Sequence, residues 1–224
     1  MSTGPRPQVV LVGPPGAGKT SVGEVLARRL EVGFTDVDDL IIERAGKSVA
    51  DIFLQDGEPA FRAMERAVVA EALAATEGVL ALGGGSILAP ETRERLRGHR
   101  VVYLTVGLAD GLRRTGMSTA RPLLAGVNPR ATFRALLEAR TPLYREVATI
   151  EIDTVRRSTN QVARAVLAAL GVAAAGVDMD EPELDDLELD EPELDEPEAR
   201  TGPTGNAVPI EITTAPGLRA AEDR

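Results

Sequence analysis

The sequence predicts an α/β fold, a parallel sheet covered by helices on both faces. Three observations predict it. Apolar strand-like runs alternate with amphipathic helical stretches from residue 8 to residue 170. The first run ends in a glycine-rich turn that opens a helix. The residues able to do chemistry fall at or just after the carboxyl ends of the strands, where ligands sit in open sheets of this class.

The elements follow in order. Residues 8–12 are a buried strand. Residues 19–30 carry Val22, Val25, Leu26 and Leu30 at helical spacing. Residues 33–37 form a second short strand, and 40–45 and 49–54 are short helical pieces. Residues 58–76, rich in Ala, Glu and Arg, are a long helix. The third strand is 79–82. Residues 90–96 make a short helix with Pro90 in its first turn. Then come a strand at 100–105, helices at 108–114 and 129–144, a fifth strand at 149–152 and a closing helix at 160–170.

Charge divides the chain. Residues 171–224 hold 16 acidic and 3 basic residues, which leaves 19 acidic and 22 basic residues for 1–170. The net charge of −10 therefore belongs to the tail, and the body is mildly basic. The tail repeats Glu-Pro-Glu-Leu-Asp and its variants, which cannot bury enough apolar surface to offset chain entropy. Two domains are expected: a folded body over 1–170 and an acidic, Pro-rich, disordered tail over 171–224.

Composition excludes several functions. Cysteine is absent, so no disulfide, thiolate metal site or cysteine nucleophile exists. Aromatic content of 3% with no Trp argues against a base-stacking platform, and no nucleic-acid partner is expected. The first eight residues carry no apolar run, and no stretch approaches the ~20 apolar residues of a membrane span. A cytoplasmic protein with no membrane partner is the expectation. His99, the single histidine, reads as a surface or structural residue.

Gly13-Pro14-Pro15-Gly16-Ala17-Gly18-Lys19-Thr20 fits G-x-x-x-x-G-K-[ST] between a strand and a helix, the context a P-loop requires. Its glycines let backbone N–H groups surround phosphate oxygens, and the helix N-terminus adds positive partial charge. Lys19 can reach the β- and γ-phosphates, and the Thr20 hydroxyl can ligate Mg²⁺. Gly16, Ala17, Gly18, Lys19, Thr20 and Ser21 are the expected phosphate-binding residues. The motif does not choose among kinase, GTPase and ATPase.

Three further elements bear on that choice. Asp36 and Asp38, placed at the end of the second strand, are either a metal and hydroxyl site or solvated turn acids. Arg62-x-x-Glu65 shares a helix face and in isolation reads as a surface ion pair. Gly83-Gly84-Gly85 follows a buried strand and either permits close ligand approach or is a flexible turn.

Together these residues resemble the shikimate kinase family. Arg62, Glu65, Val69 and the run Val79-Leu80-Ala81-Leu82-Gly83-Gly84-Gly85-Ser86-Ile87 are similar to its characteristic segment throughout, as is Ala45-Gly46-Lys47-Ser48-Val49-Ala50-Asp51-Ile52-Phe53 to another. The resemblance covers about residues 8–170. It implies a P-loop kinase fold with a five-stranded parallel sheet of order 2-3-1-4-5 and a mobile lid at about 116–125. It implies transfer of the γ-phosphoryl of ATP to shikimate with Mg²⁺, in a monomer. By position, Asp36 matches the carboxylate supporting Mg²⁺ and Asp38 the one holding acceptor hydroxyls, the candidate base. Arg62 and Arg140 match clamps on the shikimate carboxylate, and Gly83, Gly84 and Gly85 the backbone lining its ring. Arg121 matches the lid arginine, Arg114 the residue stacking on adenine, and Arg157 one near the adenine edge. Lys19, Asp38 and Arg121 are thus the expected catalytic residues. Thr159 stands where many relatives carry Pro.

Rival readings keep the P-loop. A nucleoside monophosphate kinase shares the Gly-Pro-Pro-Gly-Ala-Gly-Lys pattern, and a gluconate kinase also handles a hydroxylated carboxylate. A nucleotide-binding interaction protein would use the acidic tail to engage a basic partner of unknown identity.

Overall fold

The computed structural model describes residues 7–115 and 128–172, all within one compact unit. The expectations for Arg121, the lid and the acidic tail beyond Val172 lie outside the described residues.

Five parallel strands run in the order β2-β3-β1-β4-β5. They are β1 (Val9–Val12), β2 (Phe34–Asp36), β3 (Val79–Ala81), β4 (Val101–Thr105) and β5 (Ile150–Asp153). β1 lies at the centre, with Val10 opposite Leu80 on one side and Val101 on the other. Its four apolar residues are buried on both faces, as a central parallel strand requires.

Side-chain alternation along β1 divides the core in two. Val9 and Leu11 face α1 (Lys19–Leu30) and α8 (Thr159–Ala169), packing with Val22, Leu26, Val162 and Val166. Val10 and Val12 face the other layer, with Val37, Ile41, Ile52, Phe61, Val68 and Val69. Those side chains come from α2 (Val37–Ala45), α3 (Val49–Gln55) and α4 (Gly57–Ala75). Between β3 and β4 lie a 3₁₀ turn, Ser86–Leu88, and α5 (Pro90–Leu96). α6 (Leu108–Thr115) and α7 (Pro129–Val147) follow β4. α7 gives Phe133 to the first core and Tyr144 to the second.

The sequence-based order and element types hold, and two boundaries move in ways that matter. β2 stops at Asp36, whose carboxylate accepts from the Asp38 N–H at 3.0 Å and caps α2. Asp38 therefore lies in the first helical turn, not at the strand end. α7 runs on to Val147 with Pro142 inside it. No helix among the described residues is long and apolar enough to cross a membrane.

Candidate active site

The phosphate loop joins the C-terminal end of β1 to α1. Gly18 caps α1 in a left-handed conformation, φ 81°, that an L-side chain rarely adopts. α1 opens on Lys19, so its N-terminal partial charge is aimed at the loop. The Lys19 ammonium donates to the carbonyls of Gly13 at 3.0 Å and Pro14 at 3.2 Å, folding back over the loop. Thr20 and Ser21 are exposed in the first turn. From the far side, Arg114 of α6 donates to the Gly16 carbonyl at 3.3 Å. The residue expected to stack on adenine is thus tied to the glycine-rich loop.

β2 ends beside that loop. The Thr20 hydroxyl donates to one Asp36 oxygen at 2.9 Å while the other oxygen caps α2. One carboxylate thereby links the P-loop helix to the helix that bears Asp38. The fixed geometry of Asp38 follows from the same cap.

β3 ends in the glycine run, and three groups of side chains close on it. A methyl built on Gly83 would come 2.7 Å from Asp38 Oδ1 and 3.1 Å from Glu65 Oε1. One built on Gly85 would come 2.4 Å from Arg62 Nη1, so a side chain there would displace the guanidinium from its present position. Gly84 lies against the P-loop, where a methyl would stand 3.1 Å from Pro15 Cδ. The glycine run is the floor on which phosphate loop, carboxylate and arginine meet.

Arg62 and Glu65 are not a solvated surface pair. Arg62 Nη1 donates to Glu65 Oε2 at 2.7 Å, with the two side chains 17% and 4% exposed. The remaining Glu65 oxygen accepts from the Ser86 hydroxyl at 2.8 Å. Glu58 accepts from Arg62 Nε and Nη2 at 3.3 Å on the solvent side. Glu65 thus works as a buried anchor that orients the Arg62 fork and neutralises part of its charge.

Arg140 reaches the same place from α7. Its Nη1 donates to the Gly84 carbonyl at 3.1 Å, and Tyr144, one turn on, donates to the same oxygen at 2.6 Å. Tyr144 is fully buried and stacked on Tyr103, with ring centroids 5.0 Å apart. Burial pushes its hydroxyl pKa well above the ordinary tyrosine value.

The structure therefore gathers Lys19, Thr20, Asp36, Asp38, Arg62, Gly83, Gly84, Gly85, Arg114 and Arg140 beside one another at the carboxyl ends of the central strands. Arg157 is exposed on the connection from β5 to α8. Ser86 and Tyr144 also bond into this cluster, and neither is among the site residues the sequence predicts. Ser86 lies in the run that carries the family resemblance, but its residue type alone does not mark it as a partner of Glu65. Tyr144 had one usable signal, its place four residues beyond Arg140 on one helix face. A separate groove of about 880 Å³, lined by residues such as Gly33 and Gly78, lies at the opposite, N-terminal end of β2 and β3. It contains none of the predicted residues.

A family model described as shikimate kinase matches residues 15–171. A shikimate kinase of Saccharopolyspora erythraea is 66% identical over 148 residues, covering 66% of this chain and 85% of that protein. One of Rhodococcus jostii is 51% identical over 164 residues, covering 73% and 98%. The solved shikimate kinase from Acinetobacter baumannii in complex with shikimate superposes with a TM-score of 0.71 at 40% identity. That match covers 75% of this chain and 93% of that one.

Proposed function

The chain belongs to the shikimate kinase family and phosphorylates shikimate with ATP to give shikimate 3-phosphate, and we propose how its own residues carry that reaction. The step belongs to chorismate and aromatic amino-acid biosynthesis. One observation supports the assignment most: Asp38, Arg62 and Arg140 converge on Gly83 to Gly85 beside the P-loop.

Arg62 and Arg140 hold the shikimate carboxylate, each guanidinium offering parallel donors to a planar anion. With the carboxylate fixed over the glycine run, a ring hydroxyl faces Asp38. Asp38 orients that hydroxyl and accepts its proton late in the transfer. The P-loop N–H groups and Lys19 hold the β- and γ-phosphates, and the γ-phosphoryl moves in line to the hydroxyl. Catalysis here is positioning and charge neutralisation. Arg121, Arg114 and Arg157 complete the reading on the nucleotide side, Arg121 by closing over the transferred group.

Thr20 and Asp36 are the residues to hold Mg²⁺. They are hard oxygen donors, already 2.9 Å apart beside the P-loop. Mg²⁺ favours phosphate, water and one or two protein oxygens over an all-protein cage, which this pair suits. When bound, the ion neutralises charge on the phosphate oxygens. The same reading takes the chain as a cytoplasmic monomer whose partners are shikimate and ATP.

The test is coupled ADP release with MgATP and a panel of shikimate, gluconate and AMP. Turnover is expected with shikimate. Arg62→Ala should lower kcat/KM for shikimate about 10- to 100-fold, the worth of a charge-assisted hydrogen bond. Equal turnover in wild type and variant would overturn the clamp assignment.

A further inference from the structure

Two side chains of α7 converge on a single backbone oxygen in the glycine run. Arg140 Nη1 and Tyr144 Oη both donate to the Gly84 carbonyl, at 3.1 and 2.6 Å. That fills both acceptor lone pairs of the oxygen. The peptide unit between Gly84 and Gly85 is planar, so its carbonyl and its N–H point in opposite directions. Holding the Gly84 carbonyl toward α7 therefore fixes the Gly85 N–H away from it.

This peptide needs holding. It joins two glycines, the residues that rotate most freely, and a flip would reverse both groups at little steric cost. The neighbouring atoms are set closely: Arg62 stands against Gly85 and Pro15 against Gly84. Arg140 is the looser of the two constraints, because a long, flexible side chain carries its guanidinium and its other donors are assigned to the substrate carboxylate. Tyr144 is the tighter. Its ring is fully buried and stacked on Tyr103, so its hydroxyl oxygen is held in one place, 2.6 Å from the Gly84 carbonyl. Burial also keeps it protonated, and it remains a donor across the working pH range.

We propose that Tyr144 is a positioning residue for the acceptor: its hydroxyl locks the Gly84–Gly85 peptide plane and, through the shared oxygen, the Arg140 clamp. The inference rests on the reading that Arg140 and the glycine run hold shikimate.

The experiment is a double-mutant cycle of Tyr144→Phe and Arg140→Ala, with KM for shikimate, KM for ATP, kcat and Tm measured for each protein. Phenylalanine keeps the buried ring and its stacking and deletes only the donor. Tyr144→Phe should raise KM for shikimate about 5- to 30-fold, the worth of one buried hydrogen bond. KM for ATP should stay within about twofold and kcat within about threefold, since the P-loop keeps its own contacts. In the Arg140→Ala background the Tyr144→Phe effect should shrink, because residues acting through one group are not additive.

Different failures read differently. If Arg140→Ala raises KM for shikimate and Tyr144→Phe does not, the positioning role is overturned and the clamp stands. If Tyr144→Phe raises both KM values alike, the residue is only structural and the inference falls. If Arg140→Ala leaves KM for shikimate unchanged, the clamp reading fails and takes the inference with it.

Discussion

Asp38 shows how much of a site residue's role lies in its surroundings. Its place in the chain was visible as the second acid of an Asp-x-Asp pair. Its setting was not: the Asp36 cap puts it in the first turn of α2, with Oδ1 against Gly83 and Glu65 nearby. In the proposed reaction a carboxylate held there would meet the acceptor hydroxyl over the glycine run without having to move. Asp38→Asn keeps the volume and removes the proton acceptor. It should lower kcat about 10²- to 10⁴-fold, the range for loss of a general base. KM for ATP should stay within about twofold, and Tm should not fall. An Asn variant with wild-type kcat would remove Asp38 from the proton path. At this scale the sequence was most legible where one residue type has one use, as in Gly18-Lys19-Thr20. It was least legible where a common residue gains meaning from a distant partner. Ser86 and Tyr144 act through Glu65 and Gly84, 21 and 60 positions away.

Elements were legible in type and order, and their ends were set by capping groups that periodicity does not register. β2 loses Val37 to α2 because the Asp36 side chain satisfies the Asp38 N–H. α8 starts at Thr159 because Ser158 and Gln161 form a reciprocal capping box. That start also resolves the departure at Thr159. Position 159 is the first helical residue, where the N–H has no intrahelical acceptor and Pro is well tolerated. Ser158 before it sits at φ −70°, ψ 161°, the extended conformation that a following Pro demands. Thr and Pro therefore suit the same backbone here. Thr159→Pro should keep KM for ATP within about twofold. It should also leave Tm unchanged or slightly raised, in line with about 0.4–1 kcal/mol gained when a compatible site is stiffened. A clear drop in Tm would mean that the Thr159 N–H or hydroxyl holds something the loop needs.

The whole molecule puts its chemistry at one end because its sheet is parallel. All five strands point their carboxyl ends the same way, so the P-loop after β1, the Asp36 cap after β2 and the glycine run after β3 arrive side by side. The order β2-β3-β1 makes those three strands neighbours, which is why residues far apart in sequence meet at the carboxyl ends of the central strands. This arrangement is complete within the body. The family match ends at residue 171, and the Rhodococcus jostii relative finds 98% of its own length within 164 residues of this chain. We therefore propose the division into a kinase body, 1–170, and an acidic tail. A chain ending at Val172 should keep kcat and both KM values within about twofold, because positioning and neutralisation use groups of the body alone. Its net charge should change from −10 to +3, since the 16 acidic and 3 basic residues beyond residue 170 are removed. The truncated protein should pass through an anion exchanger that retains the full chain. If truncation instead lowers KM for ATP and added salt does the same to the full chain, the tail competes with the nucleotide for the basic cleft. The division into independent parts would then fail, since charge on the tail would be setting the affinity of the body.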